Sequence, residues 1–495
     1  MSRVVVVGAG VGGLAAAARL AAGGHGVTVC EQAAVVGGKL GRQVISTPAG
    51  TFRFDTGPSL LTLPQVFADL FRAIGTEMDS ALDLVALDPV ARIGFADGTA
   101  LNVCTDHEEL CRRLDSAFGS PAGADWHRLW QRAERIWAAT EGPFLRAAVS
   151  GTPALLRQAA RLGDLTTIAP WRTLRGLGRC YLRDPRLRML LERYATYTGS
   201  DPRRAPAALA AVPYAELAFG GWHVRGGLRR IAEALVERCT ALGVVVRTGT
   251  DVTSVEVSSG RVSGVGLARG GRLPADVVVA NADATHLYTD LIRVPAALRR
   301  LGRATPSLSA FVLLLGVRGR TPGLSQHNVF FPADYDAEFD AVFGATARPV
   351  PDPTLYVSVS PDEATAPEGH EAWFVLVNAP RHGGGSGAVD WTAAGVAEGY
   401  AQLLLERLAG RGLDVRDRLV CMRSRTPADL ERDTRAVGGA IYGTSSNGAR
   451  AAFLRPANRS PVPGLFLVGG SAHPGGGLPL VALSAQITAG LIGPA

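Results

Sequence analysis

The chain has 495 residues, of which 47% are hydrophobic and 19% charged, with 60 glycines and a formal net charge of +7. This composition excludes a disordered protein and predicts two intertwined globular domains instead of one simple core. The basicity comes from arginine, with Lys39 the single lysine, and because no nucleic-acid motif accompanies it we expect no nucleic-acid partner. The six cysteines form no CxxC pair, which argues against metal and disulfides and favours a reducing cytoplasm.

The first predicted elements form a nucleotide-binding unit within residues 4–31. Four consecutive valines indicate a buried parallel strand, and Gly8, Gly10 and Gly13 follow in the GxGxxG spacing. A helix comes next, whose first N–H groups would face a pyrophosphate, and a second strand ends at Glu31, where a carboxylate can accept ribose hydroxyls. A glycine-rich loop without a ligand is the alternative. The complete order of strand, glycines, helix, strand and acid favours a bound dinucleotide.

The remaining pattern alternates between strand-rich and helical stretches. Short strands and a helix from Asp106 are predicted within 76–118, and apolar spacings of three and four predict helices over 120–217. A β-meander ending in a buried strand is predicted over 244–286. Further predicted elements are a helix at 231–243, strands at 307–317, 354–360, 373–378 and 415–423, a helix at 392–411, and a strand, loop and helix in the last 35 residues.

The chain contains no second GxGxxG. A flavoenzyme that takes electrons from a nicotinamide through a separate site would carry a second dinucleotide unit in the region where 244–286 predicts a meander. A single dinucleotide site must therefore hold the redox cofactor itself, which indicates FAD instead of NAD. The apolar stretches 4–22 and 464–492 contain glycines, prolines or charges, and we expect no transmembrane span.

Several longer motifs carry a family resemblance that runs nearly end to end. They are GGKLGR (37–42), FDTGPSLLTLP (54–64), YLRDPRLRMLLERYATYTGSDP (181–202), GGWHVRGGLRRIAEAL (220–235), VANADATH (279–286), HNVFFPADYDAEF (327–339) and RPANRSPVPGLFLVGGSAHPGGGLPLVALSAQ (455–486). With these motifs the chain resembles the FAD-dependent amine-oxidase-like superfamily. More narrowly, it resembles bacterial carotenoid desaturases of the phytoene desaturase and 1-hydroxycarotenoid 3,4-desaturase (hydroxyneurosporene desaturase) type. The residues of its motifs are closer to those of the hydroxycarotenoid branch.

The resemblance implies an α/β fold with a discontinuous Rossmann-like FAD-binding domain, an inserted mixed-sheet substrate domain and a helical lid. The implied segments are 1–75, 218–290 and 425–495 for the FAD-binding domain, 76–119 and 291–424 for the substrate domain, and 120–217 for the lid, which would face a membrane.

The resemblance also implies a set of cofactor-binding residues, in which Lys39 takes the place of a more usual arginine. The backbone of Val252 would contact the adenine. The alternative is that Val252 is an ordinary strand valine with no ligand contact. The set is Gly8, Gly10, Gly13, Glu31, Gly38, Lys39, Asp55, Thr56, Gly57, Pro58, Ser59, Leu60, Val252, Gly469, Gly470, Pro479, Leu480 and Val481. The 55–60 segment would pass beside the isoalloxazine ring, and the helix that begins at 479–481 would face its N1/O2 edge. The catalytic residue is unknown, with His473 the candidate; its alternative role is to hold a loop turn.

The implied activity is insertion of C=C bonds into a carotenoid during carotenoid biosynthesis, with oxygen or a quinone as electron acceptor. The alternatives are a flavin-dependent carotenoid cis–trans isomerase and a non-catalytic lipid-binding escort protein of the same fold, which would lack the FAD glycines.

An arginine-rich segment, 144–188, predicts docking of a cytoplasmic, peripherally membrane-associated protein on a lipid surface. Its nine arginines outnumber two acids and are interleaved with apolar side chains, a mixture typical of interfacial helices. A solvated arginine-rich face is the alternative. The residues concerned are Phe144, Arg146, Leu155, Leu156, Arg157, Arg161, Leu162, Asp164, Ile168, Trp171, Arg172, Leu174, Arg175, Leu177, Arg179, Tyr181, Arg183, Asp184, Arg186 and Arg188.

Overall fold

Two sheets organise the chain in this computed structural model, which describes residues 1–148, 166–448 and 450–495. The first is a parallel five-stranded sheet whose central strand is the buried valine run. Its strands lie in the order Leu465–Leu467, Val277–Ala280, Arg3–Val7, Gly26–Cys30 and Val245–Arg247. These strands come from 1–75, 218–290 and 425–495, as expected for a discontinuous Rossmann-like domain.

Helices cover the parallel sheet and close its core. The alanine-rich helix Val11–Ala22 is buried along most of its length, because small side chains let it pack closely against its neighbours. The other helices near this sheet are Pro64–Ala73, Arg229–Ala241 and Leu478–Ile492.

The second sheet has seven strands and is mixed. A buried ten-residue strand, Ser309–Arg318, pairs antiparallel with His370–Ala379 across its whole length. The strand order is Leu419–Arg425, Ser309–Arg318, His370–Ala379, Leu355–Val359, His327–Phe330, Ala91–Gly94 and Ala100–Val103. The helices that flank it are Asp336–Phe343, Val396–Gly410 and Pro427–Thr434, whereas Pro295–Leu301 packs against the core of the parallel sheet and the meander.

A helical layer occupies the described part of 107–218. The predicted helix start at Asp106 is confirmed, because this side chain caps the helix by accepting a hydrogen bond from the Glu109 N–H. The helices of the layer are His107–Phe118, Ala122–Thr140, Leu174–Tyr181, Pro185–Glu192 and Ala211–Ala218.

The predicted meander at 244–286 differs from the structure. It begins later, because Val245–Arg247 joins the parallel sheet beside Gly26–Cys30. The structure also contains a hairpin of Arg42–Thr47 and Gly50–Asp55. The remaining strands are Val252–Ser258, Arg261–Leu267 and Arg272–Pro274 in the meander, the pair Leu84–Ala86 and Trp222–Val224, and the pair Arg381–His382 and Ala388–Val389.

Candidate functional site

The GxGxxG turn has the geometry that its spacing predicts. Gly8 adopts a φ of +95°, and its N–H donates to the Cys30 carbonyl at 2.7 Å. A Cβ on Gly13 would lie 2.1 Å from the Gly8 carbonyl oxygen, so only glycine allows this helix to approach the strand. Gly8 and Gly10 line a large cavity; Gly13 is not among the described lining residues and acts through packing.

Glu31 lies at the carboxyl end of its strand, 7% exposed and in the cavity wall. Its two carboxylate oxygens accept hydrogen bonds from the N–H groups of Ala9, at 2.7 Å, and Ala33, at 2.9 Å. Each oxygen keeps a further lone pair for a ligand hydroxyl. Buried Val252 begins the neighbouring meander strand and also lines the cavity, whereas contact of its backbone with an adenine stays a prediction.

Two cations, the half-buried Lys39 and the buried Arg455, contact the segment 440–444 at the cavity. The Lys39 ammonium donates to the carbonyls of Ala440 and Ile441, and burial lowers the pKa of Lys39 to about 8. The Arg455 guanidinium donates to the carbonyls of Tyr442, Thr444 and Gly470, and burial lowers its pKa to about 10.

Both cations have no carboxylate within 4 Å among the described residues; the Asp283 carboxylate acts on both from farther away. Positive charge without a paired anion favours an anionic ligand at this end of the cavity.

The segments expected around a flavin ring line the same cavity, with two exceptions. Gly38, Thr56, Gly57, Pro58, Ser59, Leu60, Gly470, Pro479, Leu480 and Val481 are all lining residues. Asp55 is not among the described lining residues: its carboxylate contacts Arg42 and the Arg229 N–H, and burial raises its pKa. Gly469 also lies behind the wall, where a Cβ would meet the Asn281 amide oxygen at 2.5 Å. Contact of Asp55 and Gly469 with the cofactor therefore stays a prediction.

His473 is buried behind the cavity, and the described lining residues do not include it. Its Nε2 lies 3.0 Å from the Ala147 carbonyl, and its ring meets the Phe144 ring edge to face. Burial lowers the pKa of the imidazole. This geometry supports the loop-holding role, and we assign His473 no catalytic role.

The cavity has a volume of about 1260 Å³ and continues from the glycine turn to the mixed sheet. Its far part has apolar walls, contributed by Leu308, Ala310, Val312, Val329, Phe374 and Leu376. The sequence reasoning missed its polar lining residues, although some lie in motifs that carried the resemblance. They are Arg193, Tyr197, Glu216, Asn281, Asp283, His327, Tyr356 and Arg455.

The cradle fits a dinucleotide. The helix Val11–Ala22 begins at the cavity without a side-chain cap, so its first N–H groups are available to phosphate oxygens. A Cβ on Gly10 would lie 2.8 Å from the Asn281 amide nitrogen, so a larger residue would require the Asn281 side chain to move. Glu31, Lys39 and Arg455 supply the acceptors and cations that ribose and pyrophosphate require.

Comparison with known proteins agrees with this geometry. Residues 11–383 match the family model described as flavin containing amine oxidoreductase. The 4,4'-diapolycopene oxygenase of Methylomonas sp is 35% identical, over 98% of this chain and 97% of that protein. The 1-hydroxycarotenoid 3,4-desaturase of Flavobacterium sp. is 31% identical over 99% of both chains. The hydroxyneurosporene desaturase of Rubrivivax gelatinosus is 36% identical over 98% of this chain and 92% of that one.

A solved structure shows the same fold at low identity. Cyclohexylamine oxidase from Brevibacterium oxydans superposes with a TM-score of 0.63 at 15% identity, covering 99% of this chain and 98% of that chain.

Proposed function

The chain belongs to the flavin-containing amine oxidoreductase family and is an FAD-dependent oxidoreductase; from this premise we propose that it desaturates a carotenoid. The observation that carries the proposal is the continuity of the nucleotide cradle with a long apolar cavity. A polyene needs such walls, because burial of its hydrocarbon surface supplies the binding free energy. The names of the full-length relatives support the same substrate class.

Desaturation removes a hydride and a proton from adjacent carbons, and FAD supplies the hydride acceptor when it is bound. The apolar walls hold the polyene in one orientation and exclude water from the reacting bond. The helix Leu478–Ile492 points its N-terminus at the cavity, where the positive end of its dipole stabilises negative charge. Positive charge that develops on the substrate spreads along the polyene, so we assign no side-chain base. Oxygen or a quinone would reoxidise the enzyme.

Within this proposal, different residues of the cradle bind different parts of FAD. Gly8, Gly10 and the helix start hold the pyrophosphate, with Lys39 nearby, and Glu31 and Val252 hold the adenosine. The residues 55–60 and 479–481 would pass beside the flavin ring.

The proposal includes docking on a membrane, with a narrower surface than the sequence predicted. Residues 155–157, 161, 162 and 164 lie outside the described part of the chain. Several of the other arginines already pair with carboxylates: Arg146 with Glu141 and Asp69, Arg175 with Glu192 and Asp336, Arg183 with Asp125, and Arg186 with Asp97 and Asp184. Leu174 and Leu177 are buried in the core. These ion pairs and buried side chains stabilise the helical layer, and of the paired arginines Arg183 is still 66% exposed.

The remaining candidate surface surrounds Trp171. This side chain is 69% exposed, and its neighbours Ile168 and Pro170 line the cavity. Arg172 and Arg179 are exposed and have no carboxylate within 4 Å among the described residues. We therefore propose that the substrate enters from the bilayer beside Trp171. No helix in the described ranges has the length and hydropathy of a membrane span.

Anaerobic turnover of purified protein with a carotenoid in liposomes tests the function. Desaturation predicts bleaching of the flavin absorbance and a product two hydrogens lighter than the substrate. An unchanged mass with a shifted spectrum would indicate the isomerase, and protein without flavin would support the escort alternative. Added oxygen in a parallel aerobic reaction would indicate an oxygenase.

A further inference from the structure

The end of the cavity beside Glu31 lies between two parts of the fold. One side is formed by Glu31, Gln32 and 250–252, which follow strands of the parallel sheet. The other side is formed by the end of the helix Pro427–Thr434 and the turn after it, where residues 433–436 line the same cavity. A ligand group held by Glu31 therefore lies between the parallel sheet and this helix.

The helix Pro427–Thr434 belongs to the mixed-sheet side of the cavity. It directly follows the edge strand of that sheet, and a capping box fixes its start: the Thr426 hydroxyl accepts from the Asp429 N–H at 3.1 Å, and the Asp429 carboxylate accepts from the Thr426 N–H at 2.8 Å. Beyond the helix, the Gly439 carbonyl accepts from the Ser309 hydroxyl of the same sheet at 2.6 Å. Both ends of this segment are thus bound to the mixed sheet.

Two hydrogen-bonded contacts join the end of this helix to the parallel-sheet side in the described part of the chain. The Arg435 guanidinium donates to both oxygens of the Asp251 carboxylate, at 2.8 and 2.7 Å. The Gln32 amide donates to the Asp433 carbonyl at 3.3 Å. The ion pair is the stronger contact, because it is bidentate and charged. Its side chains are 36% and 28% exposed, so it closes the cavity at the protein surface.

The backbone at Arg435 supports a role for its side chain. Arg435 ends the helix with a φ of +54°, in the left-handed region where glycine is the usual residue. Glycine would end the helix with less strain, so the turn itself does not require an arginine. The bond to Asp251 accounts for an arginine at this position.

The opposite end of the cavity is a poor route for a dinucleotide. Its walls are apolar side chains such as Leu308, Val312 and Phe374, and a charged pyrophosphate that passed them would lose its hydration without compensation. The end beside Glu31 is polar and reaches the surface at Arg435 and Asp251. A dinucleotide that enters or leaves by this end has to pass the ion pair.

We propose that the Arg435–Asp251 ion pair is a clasp over the adenosine of FAD, which opens when the cofactor binds or leaves. The inference rests on the proposed placement of the adenosine at Glu31. Because the two groups bind each other and not the ligand, the clasp controls the rates of FAD exchange and contributes little to the affinity.

The test measures the association and dissociation rate constants of FAD from the change in flavin fluorescence on binding. In Asp251→Ala and in Arg435→Ala, both rate constants should increase about fivefold, as for the loss of one partly exposed ion pair, and the Kd should change less than about twofold. The two substitutions alter the local charge in opposite directions, so a shared acceleration identifies the pair and not the charge. The double variant should match the single variants, because all three lack the same contact.

The control is Arg416→Ala, which removes a bidentate pair with Asp414 outside the described cavity lining and should leave both rate constants unchanged. The exchanged pair, Asp251→Arg with Arg435→Asp, should restore slow exchange.

Three results would overturn the clasp: unchanged rate constants, opposite changes in the two single variants, or faster dissociation alone with a higher Kd. The placement of the adenosine is tested separately, since Glu31→Ala with undiminished FAD affinity would show that this placement is wrong. Equal acceleration of both rate constants in the two single variants would still support the clasp in that case.

Discussion

Gly10 separates the first strand from the helix that cradles the pyrophosphate. Gly10→Val would direct a branched side chain at Asn281 and into the path of the ligand. We expect this variant to be purified colourless. Glu31→Ala should bind FAD more weakly than wild type but retain some, because the phosphate cradle remains.

The flavin absorbance per protein checks both variants. A matched control is Gly399→Val, on an exposed helix position where a Cβ meets no atom within 4 Å; it should keep its flavin. Stoichiometric flavin in Gly10→Val would contradict the assignment of the cradle.

Lys39 makes FAD affinity dependent on pH. Burial lowers the pKa of this ammonium to about 8, so the charge that favours the pyrophosphate is present below pH 8 and lost as the pH rises through it. The Kd of the apoprotein for FAD should increase about tenfold between pH 7.5 and 9.5. In Lys39→Arg the charge persists, and the Kd should stay nearly constant over this range. Parallel pH profiles of wild type and Lys39→Arg would assign the effect to another group.

Some arginines of the segment 168–180 hold helices together, and others are exposed and available to a lipid surface. The sequence alone does not show which arginine has which role. Arg175 contacts both Glu192 and Asp336, so it joins three helices, and its replacement would destabilise the layer as well as remove a positive charge. Substitution of the exposed side chains of the segment tests membrane docking without removing these ion pairs. Arg172→Ser with Arg179→Ser should weaken co-sedimentation with anionic liposomes several-fold, because each basic side chain near the surface contributes about 1 kcal/mol.

A charge-matched control is Arg269→Ser with Arg299→Ser, which removes two exposed arginines elsewhere. Binding of wild type should fall with salt. Equal co-sedimentation of the two double variants would show that the substrate entrance does not lie beside Trp171.

Within residues 1–148, 166–448 and 450–495 the structure contains a single Rossmann-like unit, assembled from three segments. The meander Val252–Pro274 occupies the mid-chain region where a separate nicotinamide unit would stand. We expect neither NADH nor NADPH to reduce the flavin at a rate relevant to turnover, since no second site would hold the nicotinamide. Stopped-flow absorbance measures this rate, with dithionite as the control for a reducible flavin. Fast, saturable reduction by either nucleotide would show that the single-site argument is wrong.

The sequence by itself predicts the fold of the nucleotide unit. All parts of this unit, from the first strand to Glu31, lie within about thirty residues and follow local rules of periodicity and backbone conformation. The buried strands Ser309–Arg318 and His370–Ala379 of the mixed sheet are also predicted in part from their apolar runs, whereas His327–Phe330 is not. Long-range packing decided the rest. Arg193, Glu216, His327 and Tyr356 are distant in the chain and meet only where the helical layer covers the mixed sheet. The same packing places Asp55 and His473 behind the wall and pairs Arg175 with carboxylates, since burial and partner choice depend on segments that no local pattern brings together.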